Sequence, residues 1–276
     1  MKIGCHISIR KGYLQAAKTA EQIGAGAFQY FPKNPRSLSI KMFDHSDAEA
    51  CARYCRKHGI ASIAHAPYPV NLAVTDELKR RATVESVLND LEIVEACGSI
   101  GLVVHFGKFK GNDLLTGYQN ILQCLNEILS RWQGSALILL ENQAGEGTSI
   151  GTRFEELLQI RTLTVRPEKI AFCFDTCHAF ASGLWKEGNW ADVAAEGEKL
   201  GFFSLVKAVH LNDSSYPSGS RRDRHASIGK GFIGWEQIRE FMQSSWLKDL
   251  PVILETPSGP HQSHQQEILT LQQQFS

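Results

Sequence analysis

The chain has 276 residues, a formal net charge of zero and an apolar fraction of 43%. This length is sufficient for one large domain with a substantial core, and neutrality argues against broad, non-specific attraction to nucleic acid, although a local basic patch is compatible with it. No apolar stretch approaches the ~20 residues that cross a membrane, and the N-terminus enters a strand pattern directly rather than a signal peptide. The seven cysteines form no Cys-x-x-Cys pair, which indicates reduced thiols in a cytoplasmic protein.

Apolar runs alternate with helical patterns along the whole chain. Runs rich in Val, Ile, Leu and Phe predict strands at 2–6, 27–31, 61–65, 101–105, 136–141, 169–175, 205–211 and 251–255. Helical periodicity predicts helices near 10–23, 47–58, 76–97, 113–132, 153–162, 190–201, 235–245 and 262–273. This alternation favours an α/β protein, a (β/α)8 TIM barrel, in which residues 1–276 form a single domain.

Local signals support several of these boundaries. Ser46-Asp-Ala-Glu49 has the spacing of a capping box at the start of the second helix. Gly24, Gly59 and Gly98 each follow a helical pattern, where a left-handed residue ends a helix. The loops after the third and seventh strands, from Ala66 to about Thr75 and from Asn212 to Trp235, are long and polar, as expected of a catalytic rim.

Seven of the predicted strands end at a residue that can bind a metal. These residues are His6, His65, His105, Glu141, Asp175, His210 and Glu255. In a closed parallel barrel the carboxyl ends of the strands meet at one face, so these side chains are expected to converge. His6 is expected to support the other residues rather than to bind the metal.

Two short motifs enlarge this set. Asp175-Thr-Cys-His178 and Asp223-Arg-His225 each place two ligand types close together in a loop. Packing carboxylates together costs several kcal/mol unless cations neutralise them. Because histidines stand between the carboxylates, metal ions are the favoured cations, and zinc is the metal that such ligands bind most commonly. The candidate metal ligands are His65, His105, Glu141, Asp175, His178, His210, Asp223, His225 and Glu255. Nine ligands exceed one tetrahedral site, so we expect two or three ions, an arrangement suited to phosphodiester cleavage.

Basic residues are frequent in the predicted rim loops. They are Lys33, Arg36, Lys108, Lys110, Arg221, Arg222, Arg224 and Lys230. Together they are expected to form a cationic surface around an acidic centre, which suits a phosphate backbone.

Longer motifs around these residues resemble one family, the endonuclease IV family of apurinic/apyrimidinic endonucleases. The matching segments are Phe-Asp175-Thr-Cys-His178-Ala-Phe-Ala-Ser-Gly, His210-Leu-Asn-Asp-Ser, Gly219-Ser-Arg-Arg-Asp223-Arg-His225-Ala-Ser-Ile-Gly-Lys-Gly, Leu140-Glu141-Asn-Gln-Ala-Gly and Leu-Glu255-Thr-Pro. Lys33-Asn-Pro-Arg36 and His65-Ala-Pro-Tyr68 match less closely. The resemblance extends from Met1 to about residue 258.

The resemblance implies a barrel that holds three zinc ions, with manganese as an alternative at one position. By position, His65, His105 and Glu141 resemble the ligands of one ion, and His178, Asp223 and His225 those of another. Asp175, His210 and Glu255 resemble the ligands of the remaining ion, with Glu141 bridging two ions. Glu141 and Glu255 are the candidate catalytic residues.

The family cleaves duplex DNA on the 5′ side of an abasic site, leaving a 3′-hydroxyl and a 5′-deoxyribose phosphate, and trims blocked 3′ ends. Such a chain is expected to be a cytoplasmic monomer with no membrane partner. The candidate DNA contacts are Arg36, Tyr68, Pro69, Arg221 and Arg224. Pro69 and Phe106 depart from the family pattern, as does the segment after Pro257. Because none of these positions is a candidate metal ligand, the departures concern substrate choice rather than hydrolysis.

Two other functions are compatible with parts of the pattern. A metal-dependent sugar isomerase or epimerase of the same barrel superfamily uses fewer ligands and leaves His65, His105 and the Asp223–His225 pair unexplained. A non-catalytic protein that binds damaged DNA has little use for nine converging ligands. Metal content and nicking of an abasic duplex distinguish the three functions.

Overall fold

Parallel strands close into a barrel in the computed structural model, which describes residues 1–186, 188–257 and 264–275. In chain order the strands are β1 (Lys2–His6), β2 (Ala27–Tyr30), β3 (Ala61–His65), β4 (Gly101–Val104), β5 (Leu137–Glu141), β6 (Ile170–Asp175), β7 (Val206–Leu211), β8 (Asp213–Ser214), β9 (His225–Ala226) and β10 (Pro251–Leu254). All except β8 and β9 belong to the barrel, in the order β1-β10-β7-β6-β5-β4-β3-β2. The predicted TIM barrel is therefore confirmed.

Helices surround the barrel and connect its strands. They are α1 (Tyr13–Gln22), α2 (His45–His58), α3 (Glu77–Ala96), α4 (Leu114–Arg131), α5 (Phe154–Leu163), α6 (Thr176–Ser182), α7 (Trp190–Lys199), α8 (Gly234–Met242) and α9 (His264–Phe275). Short 3₁₀ helices lie at Pro167–Lys169, Phe203–Leu205 and Ser245–Leu247. Helical periodicity did not predict α6, because this helix is only seven residues long and follows β6 without a loop. The predicted start of the last helix at 262 lies outside the described residues.

The start of α2 differs from the predicted capping box. Its N-cap is Asp44, whose side chain accepts hydrogen bonds from the amides of Ser46 and Asp47. Asp47 instead accepts hydrogen bonds from the amides of Tyr13 (2.6 Å) and Leu14 (3.3 Å) in α1. Because the N-cap of α1 is a glycine without a side chain, Asp47 satisfies amides that α1 itself leaves unpaired. The capping-box prediction was wrong.

The predicted glycine stops are confirmed at all three positions. Gly24, Gly59 and Gly98 have φ angles of 76°, 67° and 64°, in the left-handed region that favours glycine. Gly59 is the C-cap of α2, where its amide donates to the carbonyl of Cys55. The seven cysteines are free and buried, as expected for reduced thiols.

The interior of the barrel is built in layers. One apolar layer consists of Ala27, Ile63, Val103, Leu139, Ala171, Cys173, Ala208 and Ile253. Side chains in a strand alternate between its two faces, so a residue two positions after an interior residue also points inward. Two positions beyond this layer, towards the carboxyl ends of the strands, are Gln29, His65, His105, Glu141, Asp175, His210 and Glu255. The barrel therefore places one polar layer directly above an apolar one.

A turn network holds the long loop after β7. β8 pairs with β9 in an antiparallel ladder, and the carboxylate of Asp213 accepts hydrogen bonds from the amides of Gly231 (2.9 Å) and Ile233 (2.9 Å). A Cβ atom at Gly231 would lie 2.3 Å from the carbonyl oxygen of Ser214, so the loop needs glycine there. This closure brings the segment that contains Asp223 and His225 back over the barrel mouth. Among the described residues, no helix is both long and apolar enough to span a membrane.

Candidate metal centre

All nine predicted metal ligands meet at the mouth of the barrel. Their ligand atoms form three groups, within each of which all atoms lie within 4.8 Å of one another. The groups are His65, His105 and Glu141; Glu141, Asp175, His210 and Glu255; and His178, Asp223 and His225. We name them the first, second and third groups. Glu141 belongs to the first two, so these groups are contiguous.

In the first group, two imidazoles face one carboxylate. The Nε2 atoms of His65 and His105 lie 3.2 Å apart, and Nε2 of His105 lies 2.8 Å from Oε2 of Glu141. Nδ1 of His65 lies 2.7 Å from the carbonyl oxygen of Ala66. Because a carbonyl can only accept, this bond places the proton of neutral His65 on Nδ1 and leaves the Nε2 lone pair free.

The second group surrounds one imidazole nitrogen with three carboxylates. Nδ1 of His210 lies 2.9 Å from Glu141, 3.3 Å from Glu255 and 3.9 Å from Asp175. His210 and Asp175 are completely buried, and their Cα atoms are partners in the β6–β7 register. Three carboxylates at this separation, two of them buried, need positive charge from protons or from metal ions.

The third group is assembled from α6 and the loop after β7. Oxygens of Asp223 lie 3.2 Å from Nε2 of His178 and 3.2 Å from Nε2 of His225. Nδ1 of His178 lies 2.9 Å from the carbonyl oxygen of Asn142, and Nδ1 of His225 lies 3.2 Å from that of Glu255. Both rings therefore turn Nε2 towards Asp223 while a backbone carbonyl holds the other nitrogen, a common arrangement for metal-binding histidines.

Three amide side chains that were not predicted support these ligands. Asn142 pairs with the backbone of Asp175 through both its amide atoms, at 2.8 and 2.9 Å. Asn212 donates to the Asp175 carboxylate (2.8 Å) and accepts from the amide of Glu255 (3.1 Å). Gln29 lies between His210 and Glu255. Side chains alternate between the two faces of a strand, so the position of Gln29 two residues after Ala27 could have predicted that Gln29 points into the barrel. Asn142 and Asn212 stand close to Glu141 and His210 in the sequence motifs.

The side chains of the third group shift one another's pKa values. Burial lowers the pKa of His178, but Asp175 and Asp223 outweigh burial and raise this pKa well above its usual value. Burial likewise opposes the rise in the pKa of His225 to about 9, which follows from Asp223 and Asp175. Burial raises the pKa of Asp223, but His178 and His225 reverse this effect and lower it. In the metal-free protein the imidazoles therefore carry protons that a metal ion would displace.

Glu141 is the most strongly shifted carboxylate of the first two groups. Burial raises its pKa, but His105 and His210 outweigh burial and hold this pKa well below its usual range. By contrast, burial is the largest cause of the raised pKa of Asp175. Ionised Glu141 thus stays a charged acceptor at the junction of the two groups.

Cys177 can reach a ligand position beside Asp175 and His225. Its thiol instead donates to the carbonyl of Arg224, with Sγ 3.7 Å from the oxygen. Burial raises the pKa of Cys177 to about 12. A thiol that keeps its proton is a poor ligand and a poor nucleophile, so the geometry gives no support to a catalytic cysteine.

The nitrogen and oxygen atoms of the three groups fit metal ions as ligands. Oε2 of Glu141 and Nε2 of His225 are buried and lack a hydrogen bond of acceptable geometry within the described residues. Such atoms are costly to bury unless a cation takes the place of the missing donor. The 3.2 Å separations in the first and third groups match the ~3.3 Å between two nitrogen or oxygen ligands at a tetrahedral zinc. The three groups thus offer ligand atoms at a spacing that fits metal ions.

A cavity of about 710 Å³ opens above the three groups. Tyr68, Asn71 and Lys108 line its wall. Tyr68 is 70% exposed, and its ring contacts that of Phe31 at 5.2 Å between centroids. The amide of Tyr68 donates to the carbonyl of Pro35 at 2.9 Å, which ties the loop after β3 to the loop after β2.

The predicted DNA contacts lie in loops of the same face. Arg36, Pro69 and Arg221 are exposed. Arg224 is exposed but pairs with Glu146, whose Oε2 lies 3.3 Å from its guanidinium. Arg221 has a φ of 56°, unusual for a residue with a side chain, and its amide donates to the carbonyl of Ala181.

One rim expectation needs correction. Lys33 was expected on the cationic surface, but its side chain is buried and paired with Asp90 of α3 at 3.1 Å. The ring of Phe106 is completely buried against Gly151. Lys108, two residues later, lines the cavity. The effect of Phe106 on substrate choice stays a prediction.

Comparisons with known proteins agree with this geometry. A family model described as a xylose isomerase-like TIM barrel matches residues 17–274. The chain is 45% identical to the probable endonuclease 4 of Symbiobacterium thermophilum over 93% of each sequence. Its structure superimposes on endonuclease IV from Thermus thermophilus with a TM-score of 0.84 and 33% identity, covering 100% of this chain and 97% of the other.

A D-tagatose 3-epimerase-like protein also has this fold, with a TM-score of 0.71 at 22% identity, covering 98% of this chain and 96% of the other. That likeness concerns the barrel alone. Sequence identity over nearly the whole chain and the matched structure, by contrast, agree with the motifs around Asp175, His210 and Asp223. The chain therefore belongs to the endonuclease IV family within the xylose isomerase-like TIM barrels.

Proposed function

We propose that this protein hydrolyses the phosphodiester on the 5′ side of abasic sites in duplex DNA, leaving a 3′-hydroxyl and a 5′-deoxyribose phosphate, and that it trims blocked 3′ ends. The observation that carries the proposal is the convergence of nine ligand-type side chains in three groups at one barrel mouth. We further propose that residues 1–276 form one domain that acts as a cytoplasmic monomer.

Zinc is the proposed metal, with one ion for each group and manganese as an alternative at one position. His65, His105 and Glu141 would hold the first ion, and His178, Asp223 and His225 would hold the third. Asp175, His210 and Glu255 would hold the second together with Glu141. Bound ions of this kind polarise a phosphoryl oxygen and neutralise the negative charge of the transition state.

Glu141 and Glu255 are the proposed catalytic carboxylates. Glu141 is almost completely buried and shared by two groups, so it keeps these groups in contact. The Glu255 side chain is partly exposed and lines the cavity, so it is the carboxylate of the second group that a substrate can approach. The backbone carbonyl of Glu255 also orients His225 of the third group.

The rim residues are proposed to position DNA. An abasic nucleotide lacks a base to stack, so turning it out of the duplex into the cavity costs less than for an intact nucleotide. Tyr68 lines the cavity and the adjoining Pro69 is exposed in the same loop, so both are proposed to occupy the space that the nucleotide leaves. Arg36, Arg221 and Arg224 are proposed to contact the phosphate backbone.

The epimerase alternative accounts for less of the site. A sugar isomerase of this fold would use the second group and leave His65 and His105 of the first group, and the third group, without a role. Backbone carbonyls nonetheless orient both imidazoles of the third group, as expected of metal ligands. A non-catalytic binder has no use for any of the three groups.

The test combines metal analysis with a nicking assay. Protein purified without chelators is expected to contain three zinc ions per chain and to cut a duplex carrying one tetrahydrofuran abasic analogue at its 5′ side. An undamaged duplex of the same sequence is the control. A single ion with no nicking would favour the epimerase, and a gel shift without nicking by the fully loaded protein would favour the binder.

A further inference from the structure

Gln29 connects two members of the second group from another part of the barrel, because β2 is separated from β10 by β1. This residue lies in β2 and is completely buried. Its Oε1 lies 2.7 Å from Nε2 of His210, and its Nε2 lies 2.7 Å from Oε1 of Glu255. One side chain thus spans the two ligands, 181 residues from one and 226 residues from the other along the chain.

The chemistry of the partners fixes the orientation of this amide. An ionised carboxylate only accepts hydrogen bonds, so the NH₂ group of Gln29 must face Glu255. Its carbonyl oxygen then faces His210 and also only accepts, so Nε2 of His210 must carry a proton. In the metal-free protein Nδ1 also carries a proton, because it lies among three carboxylates and is 2.9 Å from Oε1 of Glu141. A metal ion would displace this proton, and Nε2, which faces Gln29, would keep its own.

We propose that Gln29 is a positioning residue that sets the metal affinity of the second group by selecting the His210 tautomer and holding the Glu255 carboxylate. The proposal rests on the proposed metal-dependent function. His210 is completely buried, so its Nε2–H would lose its partner if Gln29 were removed. An imidazole with the proton on Nδ1 would present an N–H, rather than a lone pair, to the metal position.

A merely structural role for Gln29 makes a different prediction. A buried amide that only satisfied hydrogen bonds would change stability on replacement but leave the relative affinities of the three groups unchanged. A positioning role predicts a selective loss. The first and third groups keep their own orienting carbonyls, Ala66 for His65 and Asn142 for His178.

Two substitutions separate the two contacts of Gln29. Gln29→Met keeps the length of the side chain and removes both hydrogen bonds. Gln29→Glu keeps an acceptor towards His210 but places a carboxylate oxygen against Glu255. The matched control is Gln237→Met in α8, which removes a hydrogen bond to the indole of Trp185, away from the metal centre.

The experiment titrates zinc-loaded protein with a competing chelator and counts the ions retained. Loss of a partner that orients a ligand weakens metal binding by about 10–100-fold. In Gln29→Met we expect one of the three ions to leave at 10–100-fold lower free chelator, while Gln237→Met follows the wild type. Gln29→Glu is expected to be intermediate, because the tautomer contact survives.

The second measurement uses the wild-type protein and therefore does not depend on a variant that folds. ¹⁵N correlation spectra of the zinc-loaded protein report which ring nitrogen of His210 carries hydrogen. We expect the proton on Nε2; a proton on Nδ1 would overturn the proposal. Equal chelator curves for wild type and Gln29→Met would also overturn it while leaving the proposed function intact. Wild-type protein that holds no metal would instead refute both.

Discussion

Lys33 and Asp90 form a buried ion pair between the loop after β2 and helix α3. Nζ of Lys33 lies 3.1 Å from Oδ1 of Asp90, and both side chains are almost completely shielded from solvent. Nζ also donates to the carbonyl of Ser86 at 2.8 Å. Burial raises the pKa of Asp90 to about 7 and lowers that of Lys33, although each charge opposes the shift of the other. The pair connects the loop after β2, which carries Arg36, to α3.

Removing one partner of this pair should be costly. Asp90→Asn is expected to lower the free energy of unfolding by about 3–5 kcal/mol, because it leaves the buried Lys33 charge unpaired. The double variant Lys33→Met with Asp90→Leu should recover most of that loss. Urea denaturation of zinc-loaded protein measures both. Glu77→Gln, which breaks the exposed pair with Arg81, is the control and should cost less than about 1 kcal/mol. A similar small cost for Asp90→Asn would contradict the assignment.

Glu141 is expected to be the most sensitive ligand position. Because its carboxylate belongs to two groups, Glu141→Gln should lower the zinc content by more than one ion per chain. Nicking of the abasic duplex should fall by more than the ~100-fold expected for an outer partner. Metal analysis and single-turnover nicking check both effects. Cys177→Ala removes a neighbouring thiol that binds the Arg224 carbonyl and should keep the wild-type zinc content. Full zinc content in Glu141→Gln would contradict the assignment of Glu141 as a ligand of both the first and the second group.

Tyr68 is expected to act on DNA and not on metal. Tyr68→Ala should weaken binding to an abasic duplex by about 1–3 kcal/mol, the usual contribution of one aromatic stacking contact. Tyr68→Phe keeps the ring and its contact with Phe31, and it should bind like the wild type. Equilibrium binding and zinc analysis are the measurements. Loss of zinc in Tyr68→Ala would mean that the loop supports the metal centre directly.

The stability of the metal-free protein should fall as pH rises. His225 has a folded-state pKa of about 9, above its ordinary value of 6.5, because Asp223 and Asp175 outweigh burial. A raised histidine pKa contributes stability that is complete below the unfolded-state value and is lost as pH rises through about 9. Denaturation of chelator-treated protein between pH 6 and ~9 should therefore show decreasing stability.

Zinc-loaded protein should lack this decrease, because its ligands have already lost their protons. Metal binding should accordingly release protons, which calorimetry in buffers of different ionisation enthalpy can count. A metal-free protein whose stability rises over this pH range would contradict the assignment of charge to His225.

All seven thiols should be unreactive in the folded protein. Each cysteine is buried, and burial raises the pKa of Cys5, Cys124, Cys173 and Cys177 to about 12. A hydrogen bond with Cys51 instead lowers the pKa of Cys55, so the protection of Cys55 rests on its burial. Since the thiolate is the reactive species, Ellman's reagent at pH 8 should label almost no thiol before unfolding and all seven in guanidinium chloride. Rapid labelling of one native thiol would show that its surroundings open to solvent.

Local sequence determined the elements of the barrel and most of its candidate site. Apolar runs of four to six residues specify strands buried on both faces, and their spacing leaves room for helices between them. Ligand types at strand ends, such as His65, Glu141 and Glu255, were visible because a barrel always gathers those ends. The short motifs identified His178 and His225 although the seven-residue helix α6 was missed.

Only the tertiary structure decided how side chains from distant strands meet. The start of α1 depended on α2, because the N-cap of α1 is a glycine and Asp47 of α2 accepts hydrogen bonds from the amides of Tyr13 and Leu14. Lys33 turned inward because α3 places Asp90 next to the loop that carries Lys33. Gln29 resembles an ordinary strand residue until β7 and β10 bring His210 and Glu255 to its two amide atoms. Hydrogen bonds and ion pairs act over about 3 Å, and sequence patterns reveal faces and periods, whereas such distances exist only after the barrel has closed.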